Sequence, residues 1–529
     1  MYASECRNGQ LGRREFLTRA TALGVMVPVA YGLLGLTAPA ARADTPVRGG
    51  TLRIRMDIRA QRDPRSWDWT QLADVCRGWL EYLVQFERDG SITPVLLEDW
   101  EASDDATVWT LHVRRGVTWN NGDAFIAEHV KANIERWADA SFEGNSMAGR
   151  MSALAEDGKL REGAVEILDD HRLRLHLSRP DIAIIANMTD YPAAIVHPDF
   201  TGDDPVATPI GTGPYRPVSH ETGIGAVIER NPDHEWWNEG NGAWLDRIEF
   251  IDLGTDPSAW LAAAESDEIE VTYQTTGDFI EQFEAIGMPS SEVVTAGTIA
   301  VRFNQGQAPY DRVEVRRALQ MAVDNAVVLE LGYNDRGAAA ENHHVAPIHP
   351  EYAEMDPPEF DPDGAARMIA DAGLADHEFE LISIDDDWQA ATCDNVAAQI
   401  RAAGLTIHRT ILPGSTYWNG WLSYPFSATE WNMRPLGVQV LNLAYRSGVA
   451  WNETGYANPD FDAALDRANG IPDANARREV MRELQAILRE DGVLIQPYWR
   501  SLYRNARPNI HNAEMHPTYE VRYQYYWKS

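Results

Sequence analysis

The sequence predicts a protein of mixed helix and strand built from several lobes, and three observations point there. The chain has 529 residues, against a usual domain size of roughly 100–200 residues. Segments with the two-residue period of half-buried strands stand beside apolar stripes of helical period. Glycine, proline and Asx residues punctuate these segments where turns and helix ends belong.

The stretch Leu97–Trp137 shows all of this in miniature: strand, turn, strand, turn, helix. Trp109, Leu111 and Val113 share one face, while Thr110 and His112 take the other, the period of a half-buried strand. Asn121-Gly122-Asp123 supplies residues that tolerate positive φ in a tight reversal. Ala127, Val130, Ile134 and Trp137 then recur at helical spacing, and the aromatic residues here read as core. Leu245–Phe250 reads as a further strand. Val315, Ala318, Leu319, Ala322 and Val323 form a helical stripe suited to packing on a sheet. Asp361 as N-cap, Pro362 at the first helical position and Gly373 beyond the end delimit another helix. Arg477–Glu490 is amphipathic through Val480, Leu484, Ile487 and Leu488, and Tyr519–Tyr525 alternates like a strand.

The N-terminus reads as an export signal. Gly12-Arg13-Arg14-Glu15-Phe16-Leu17 resembles a twin-arginine motif, with Arg13 and Arg14 as the pair. An apolar stretch, Ala20–Leu36, follows, and Ala41-Arg42-Ala43 fits the small-x-small rule for cleavage after Ala43. Pro28, Gly32 and Gly35 interrupt that stretch, which is shorter than the roughly 20 apolar residues a membrane span needs. Cys6 lies too far upstream for a lipid anchor at the cleavage point. Residues 1–43 are therefore expected to be removed, leaving a soluble protein.

Charge excludes some partners. The chain carries 46 Lys+Arg against 80 Asp+Glu, a formal −34. Residues 1–43 hold five Arg and two Glu, so the remainder has 41 against 78, or −37. Such a polyanion repels nucleic acid and anionic membrane surfaces. After cleavage only Cys76 and Cys393 remain, enough for one long-range disulfide or for two separate buried thiols, but not for a disulfide framework.

Leu97–Trp137 closely resembles the signature segment of the family 5 extracellular solute-binding proteins, receptors of ATP-driven importers for peptides, nickel complexes and some oligosaccharides. The resemblance extends in order along the chain. It takes in Pro209–Tyr215, Arg230-Asn231-Pro232-Asp233 with Trp236-Trp237, Trp260–Glu270, Ile299–Asn304, Val315–Asp324 and Ala457–Asp462. The glycines and prolines of Pro209–Tyr215 suit a sharp turn at a lobe boundary, where special φ values are needed. The resemblance implies a periplasmic binding protein-like α/β fold: two large α/β lobes, a smaller inserted α+β lobe, and a ligand cleft between the large lobes. The first large lobe would comprise 44–90, 206–298 and 492–529, the inserted lobe 91–205 and the second large lobe 299–491. Two chain crossings would act as the hinge about which such proteins close on ligand. The implied partners are a small-molecule or peptide ligand, an ABC permease and ATPase complex, and the twin-arginine translocase. A monomer and no cofactor are expected.

The ligand residues are sought at Ser427–Pro435. Peptide-binding relatives commonly read Trp-x-x-Asp there, and the aspartate pairs with the peptide's α-ammonium. This chain has Trp431, Asn432, Met433 and Arg434 instead. The missing anion removes a charge-assisted bond on the order of 1.5–3 kcal/mol and puts ordinary di- and tripeptides in doubt. Arg434 could hold a carboxylate or phosphate bidentately, or pair with an acid of the protein itself. Trp431, Trp418 and Trp451 offer stacking surfaces for side chains, sugar rings or cations. Trp451–Tyr456, with Asn452 and Tyr456, resembles the family's cleft-proximal Asn-x-x-Gly-Tyr segment. Asn304 and Asp385-Asp386-Asp387 sit at expected strand ends, where α/β sheets bind ligands, although a solvated acidic turn accounts for the three aspartates. His343-His344 with His349 raises a metal-complex ligand, but adjacent histidines point apart on a strand and lack a recognised ligand spacing.

Catalytic signatures fail for concrete reasons. There is no GxSxG elbow, and His234-Glu235-Trp236-Trp237 runs into Asn238 rather than a second histidine. The three lysines, Lys131, Lys159 and Lys528, lie outside any phosphate-cradling loop. The expectation is a binding protein rather than an enzyme. A secreted hydrolase of peptides or glycosides and a sensory solute receptor are the alternatives.

Overall fold

The structure, a computed structural model, describes residues 3, 6, 11–22, 25, 27–34 and 45–529. The expected cleavage site after Ala43 lies outside them. Arg13 and Arg14 open a helix, Arg13–Ala22. The hydroxyl of Thr18 donates to Gly90 O (2.6 Å), and Ile92 N donates to the hydroxyl of Thr21 (2.8 Å). Among the described residues no helix is long and apolar enough to cross a membrane.

Three sheets organise the chain. A five-stranded sheet runs in the order Tyr215–Glu221, Gly225–Arg230, Arg247–Ile251, Thr51–Arg55, Val271–Thr272. Thr51–Arg55 pairs in parallel with both of its neighbours. A four-stranded antiparallel sheet is formed by Leu97–Ala102, Val108–Val113, Arg172–His176 and Val165–Asp169. Trp109, Leu111 and Val113 are buried along its second strand while Thr110 and His112 are half-buried, as the alternation predicts. Gly122 adopts φ +96° in the following turn, and helix Ala127–Ala138 buries Val130, Ile134 and Trp137.

The largest sheet has seven strands. Its main path is Gly337–Ala339, Tyr498–Asn505, Ser290–Phe303, Phe426–Trp431, Glu378–Ile384, Thr406–Leu412. Helices Val313–Met321 and Asp387–Ala402 supply Val315, Leu319, Val396 and Ile400 to the core on this sheet. Helix Pro362–Asp371 has the expected cap, Asp361 accepting from Gly364 N at 2.8 Å.

Three details differ from expectation. Ser290–Phe303 is one continuous strand across position 298/299, kinked where the register shifts between Val294 and Thr298. Tyr498–Asn505 pairs with it inside the seven-stranded sheet, and its end also meets the five-stranded body, where Asn505 N donates to the Thr272 hydroxyl (3.0 Å) and Thr275 N to Tyr503 O (2.8 Å). Tyr519–Tyr525 is not a strand: Tyr519 has φ +66°, and Tyr523–Tyr525 is a 3-10 turn. Its alternation has no solvent face to serve, because Glu520 and Arg522 are also buried, paired with each other at 2.8 Å.

The motif Pro209–Tyr215 owes its glycines to crowding rather than to φ. A Cβ on Gly211 would lie 1.9 Å from Trp79 O, and one on Gly213 2.6 Å from Gly78 O. Only glycine lets this segment lie against residues 78–79, where Gly213 N donates to Trp79 O (3.0 Å) and Tyr215 N to Gly78 O (2.8 Å). Cys76 and Cys393 are free buried thiols in separate cores.

Candidate ligand cleft

Strand Phe426–Trp431 ends where its chain leaves the large sheet, and it delivers Thr429, Glu430 and Trp431 to a cleft. Asp68 and Trp69 close the facing side from the loop after Thr51–Arg55. Tyr191 enters from the segment that follows the four-stranded sheet, and Trp421, Asn432, Arg434 and Trp451 complete the wall. The cleft holds ≈ 30 Å³, room for one or two water molecules and not for an organic solute. The bodies must therefore part to admit a solute.

Trp431 is held by a buried acid. Its Nε1 donates to Glu453 Oε1 (2.7 Å), while Glu453 Oε2 accepts from the hydroxyl of Thr429 (2.6 Å) and from Arg302 Nε (3.2 Å). The Trp431 ring meets Trp451 edge-on at 6.0 Å, and Trp451 stacks on Tyr191 at 6.1 Å. Glu430 is likewise engaged, accepting from Arg500 (2.5 Å) and from the Tyr519 hydroxyl.

Two bonds bridge the cleft. Asn432 Nδ2 donates to the hydroxyl of Thr70 (2.9 Å). Arg434 Nε donates to Asp190 Oδ2 (2.8 Å), the same oxygen that accepts from Arg150 (2.5 Å). Arg434 also donates to Asn432 O (2.9 Å) and Met433 O (3.2 Å). So the arginine expected to await a ligand anion already has a carboxylate partner inside the protein. Burial opposes the charge on Asp190, but Arg434 and Arg150 outweigh it and hold the carboxyl below its usual range. Burial also lowers Arg150, and Asp190 offsets this only in part. Two buried guanidinium groups thus share one carboxylate, and both lie over Trp451, at 4.9 Å for Arg150 and 5.8 Å for Arg434.

Of the residues singled out in the sequence, the structure brings Trp431, Asn432, Arg434 and Trp451 together. Trp418 stands at the rim, its ring 4.0 Å from Trp69. Asn304, Asn452 and Tyr456 do not line the cleft. The side chain of Asn304 accepts from Gly306 N, Asn452 donates to Arg446 O and Tyr456 O, and the Tyr456 hydroxyl donates to Asp491. Asn304 and Asn452 serve the local backbone, and Tyr456 an acid 35 positions further on. Asp386 caps helix Asp387–Ala402, accepting from Gln389 N, and so is not a freely solvated turn residue. His344 bonds the Tyr445 hydroxyl (2.7 Å), His349 the Arg434 carbonyl (3.1 Å) and His343 the Gln485 amide (3.1 Å). Among the described residues no group of three or more His, Cys, Asp or Glu is placed to hold a metal ion.

Sequence reasoning missed Trp69, Asp190, Tyr191 and Glu453. The aromatic triplet Trp67-Asp68-Trp69 was a usable signal for the first of these. Asp190 and Tyr191 carry no local motif, and Glu453 sits at an unspecified position of the Trp451–Tyr456 segment. A larger cavity, ≈ 880 Å³, lies away from this cleft, between helices Val313–Met321 and Ala474–Glu490, and includes Arg317, Pro357 and Arg489. It does not touch the residues that join the bodies.

Known proteins agree with this architecture. Di/tripeptide-binding protein 1 of Pseudomonas aeruginosa is 28% identical over 486 residues, covering 82% of this chain and 86% of that protein. The periplasmic oligopeptide-binding protein OppA of Haemophilus influenzae is 23% identical over 476 residues, 81% and 84% of the two chains. Among solved structures, the murein tripeptide binding protein of Escherichia coli superimposes with a TM-score of 0.81 at 17% identity, covering 92% of this chain and 99% of that one. The binding protein AgaA of A. tumefaciens, solved with agropinic acid, gives 0.80 at 18% identity, covering 91% and 99%. These two show the same two-lobed α/β fold. The family description "Bacterial extracellular solute-binding proteins, family 5 Middle" matches residues 91–451, well over half of the sequence. The chain belongs to family 5 of the bacterial extracellular solute-binding proteins.

Proposed function

We propose that this protein is the periplasmic capture component of an ABC importer, exported through the twin-arginine route and working as a monomer. It encloses a small organic solute between Trp69, Tyr191, Trp431 and Trp451 and passes it on unaltered to a membrane permease. The observation that carries this reading is the cleft itself. Its walls come from both sheet bodies and from the inserted segment, and its bridging bonds, Asn432 to Thr70 and Arg434 to Asp190, join parts of the chain far apart in sequence. Such bonds form only when the bodies meet, so solute binding and closure share one free energy.

The solute is peptide-like or another compact organic molecule bearing an anionic group. Aromatic rings supply stacking surface, and the pair of guanidinium groups around Asp190 leaves one positive charge in excess. Relatives that bind di- and tripeptides and a fold neighbour solved with agropinic acid fit that range of solutes.

The test is native mass spectrometry of the mature protein, with small-angle scattering before and after any bound solute is removed. The expected result is a bound small molecule, recovered chemically unchanged, whose removal enlarges the scattering radius. An unchanged radius with a tightly bound solute, or recovery of a cleaved product, overturns the proposal.

A further inference from the structure

The arginines around the cleft are tied to acids: Arg62 to Asp68, Arg150 and Arg434 to Asp190, Arg302 to Glu453, and Arg500 to Glu430. Arg59 is different. Among the described residues its guanidinium makes no ion pair or hydrogen bond, and its Nε is shut off from solvent. It lies over two tryptophans, with Cζ 4.8 Å from the Trp69 ring and 5.8 Å from the Trp418 ring. Those rings belong to facing bodies. Trp69 precedes helix Thr70–Cys76, and Trp418 sits in helix Gly414–Gly420 of the large-sheet body. Their centroids are 4.0 Å apart, tilted at 58°. Trp69 also lines the cleft, so the unpaired cation is one ring away from the enclosed space.

We propose that Arg59, backed by the Trp69–Trp418 pair, is an anion subsite at the cleft rim that takes a carboxylate of the solute. This rests on the reading of the cleft as a solute site. A planar guanidinium offers paired N–H donors that match a carboxylate, and it stays charged at any working pH. In a chain with 80 acidic residues, a half-buried arginine without a counter-ion has been spared the partner that would compete with such a ligand. Trp418 reaches Arg59 only as the bodies close, so closure withdraws water from the ion pair and strengthens it. Arg434 already donates to Asp190 and to two backbone carbonyls, so Arg59, with no such partner among the described residues, is the better placed of the two to receive the solute.

The experiment uses the mature protein, its Arg59→Gln and Arg59→Lys variants, and two measurements. In the first, tryptophan fluorescence is quenched with iodide and separately with neutral acrylamide. Arg59→Gln is expected to lower iodide quenching and leave acrylamide quenching unchanged. Equal iodide quenching in wild type and Arg59→Gln overturns the subsite whatever the solute is. In the second, calorimetry compares the dipeptide Ala-Phe with its C-terminal amide. The free acid is expected to bind about tenfold more tightly or better, the scale of one charge-assisted bond. Arg59→Gln should erase that preference and Arg59→Lys keep part of it. A preference that survives Arg59→Gln also overturns the proposal, because a mere staple between two rings would weaken acid and amide alike. Should neither form bind, the peptide reading of the cleft falls, and the iodide comparison alone decides on Arg59.

Discussion

Replacing Asp190 by asparagine removes the acid shared by two buried cations. In the closed protein Asp190 Oδ2 accepts from Arg150 at 2.5 Å and from Arg434 at 2.8 Å, and all three side chains are almost wholly buried. Breaking a buried pair by neutralising one partner costs about 3–5 kcal/mol, much of it the stranded charge. The loss has two parts. Arg150 and Asp190 lie on the same side of the cleft, so their bond exists whether the bodies are open or closed. Arg434 comes from the other side and can leave for water when the bodies part. Its share, about 1.5–3 kcal/mol for a hydrogen bond between charged groups, therefore falls on closure. That shifts the closed population, and with it any solute's apparent affinity, by a factor of about 10–150. Arg434→Ala loses the same bond but leaves Asp190 balanced by Arg150, so its effect on closure should sit at the lower end, about tenfold. The measurements are small-angle scattering of each variant and calorimetry with one anionic and one neutral solute. Both variants should enlarge the scattering radius and weaken both solutes by a similar factor, with Asp190→Asn the more severe. Loss confined to the anionic solute would mean that Arg434 touches ligand directly. Unchanged scattering in both variants would refute the closure reasoning.

Three further outcomes are expected. Glu453→Ala removes the acceptor shared by Arg302, Thr429 and Trp431, in a pair whose side chains are 2% and 0% exposed; it should cost about 3–5 kcal/mol in urea unfolding and alter Trp431 fluorescence, and a change under about 1 kcal/mol would count against the role given to Glu453. Gly211→Ala places a methyl group 1.9 Å from Trp79 O; thermal melting should show a loss of about 3 kcal/mol or more, or no folded protein, and a wild-type melting curve would refute the crowding argument. Burial raises the Asp74 carboxyl to about 7. Its folded value exceeds the unfolded one, so its contribution to stability is greatest in acid and is lost as pH rises between about 4 and 7. Asp74→Asn should make the pH–stability curve fall less, or rise more, across that window, and a curve parallel to wild type would exclude Asp74 as its source.

The parts of the fold that were legible are those governed by short-range periodicity. Val108–Val113 must alternate because one face is buried, and the helix of Ala127–Ala138 must repeat Val130, Ile134 and Trp137 because one stripe meets a sheet. Asp361-Pro362 fixes a helix start by local hydrogen bonding alone. Tyr519–Tyr525 failed because alternation signals a strand only when one face sees water, and here the polar residues are buried through ion pairs. The same limit explains Gly211 and Gly213. A glycine in sequence looks alike whether it serves a turn or a close contact, and the contact at Trp79 is more than 130 positions away.

The cleft was legible chiefly along one segment, with Trp451 beside it. Trp431, Asn432 and Arg434 share a segment, so their departure from the peptide-binding pattern was visible, but their partners are Glu453, Thr70 and Asp190. What Arg434 does depends on Asp190, 244 positions earlier, and no periodicity or motif links the two. Without that partner the reasonable inference is a cation awaiting an anion; with it, Arg434 becomes part of the closing contact. Arg59 shows the reverse. Nothing in its neighbourhood marks it in the sequence, and its interest comes from having no ion pair among the described residues where Trp69 and Trp418 are brought together. In a protein this acidic, electrostatic roles follow from which arginines are left unpaired, and pairing is a property of the fold. The anion preference proposed for this cleft is therefore assigned to Arg59 rather than to Arg434.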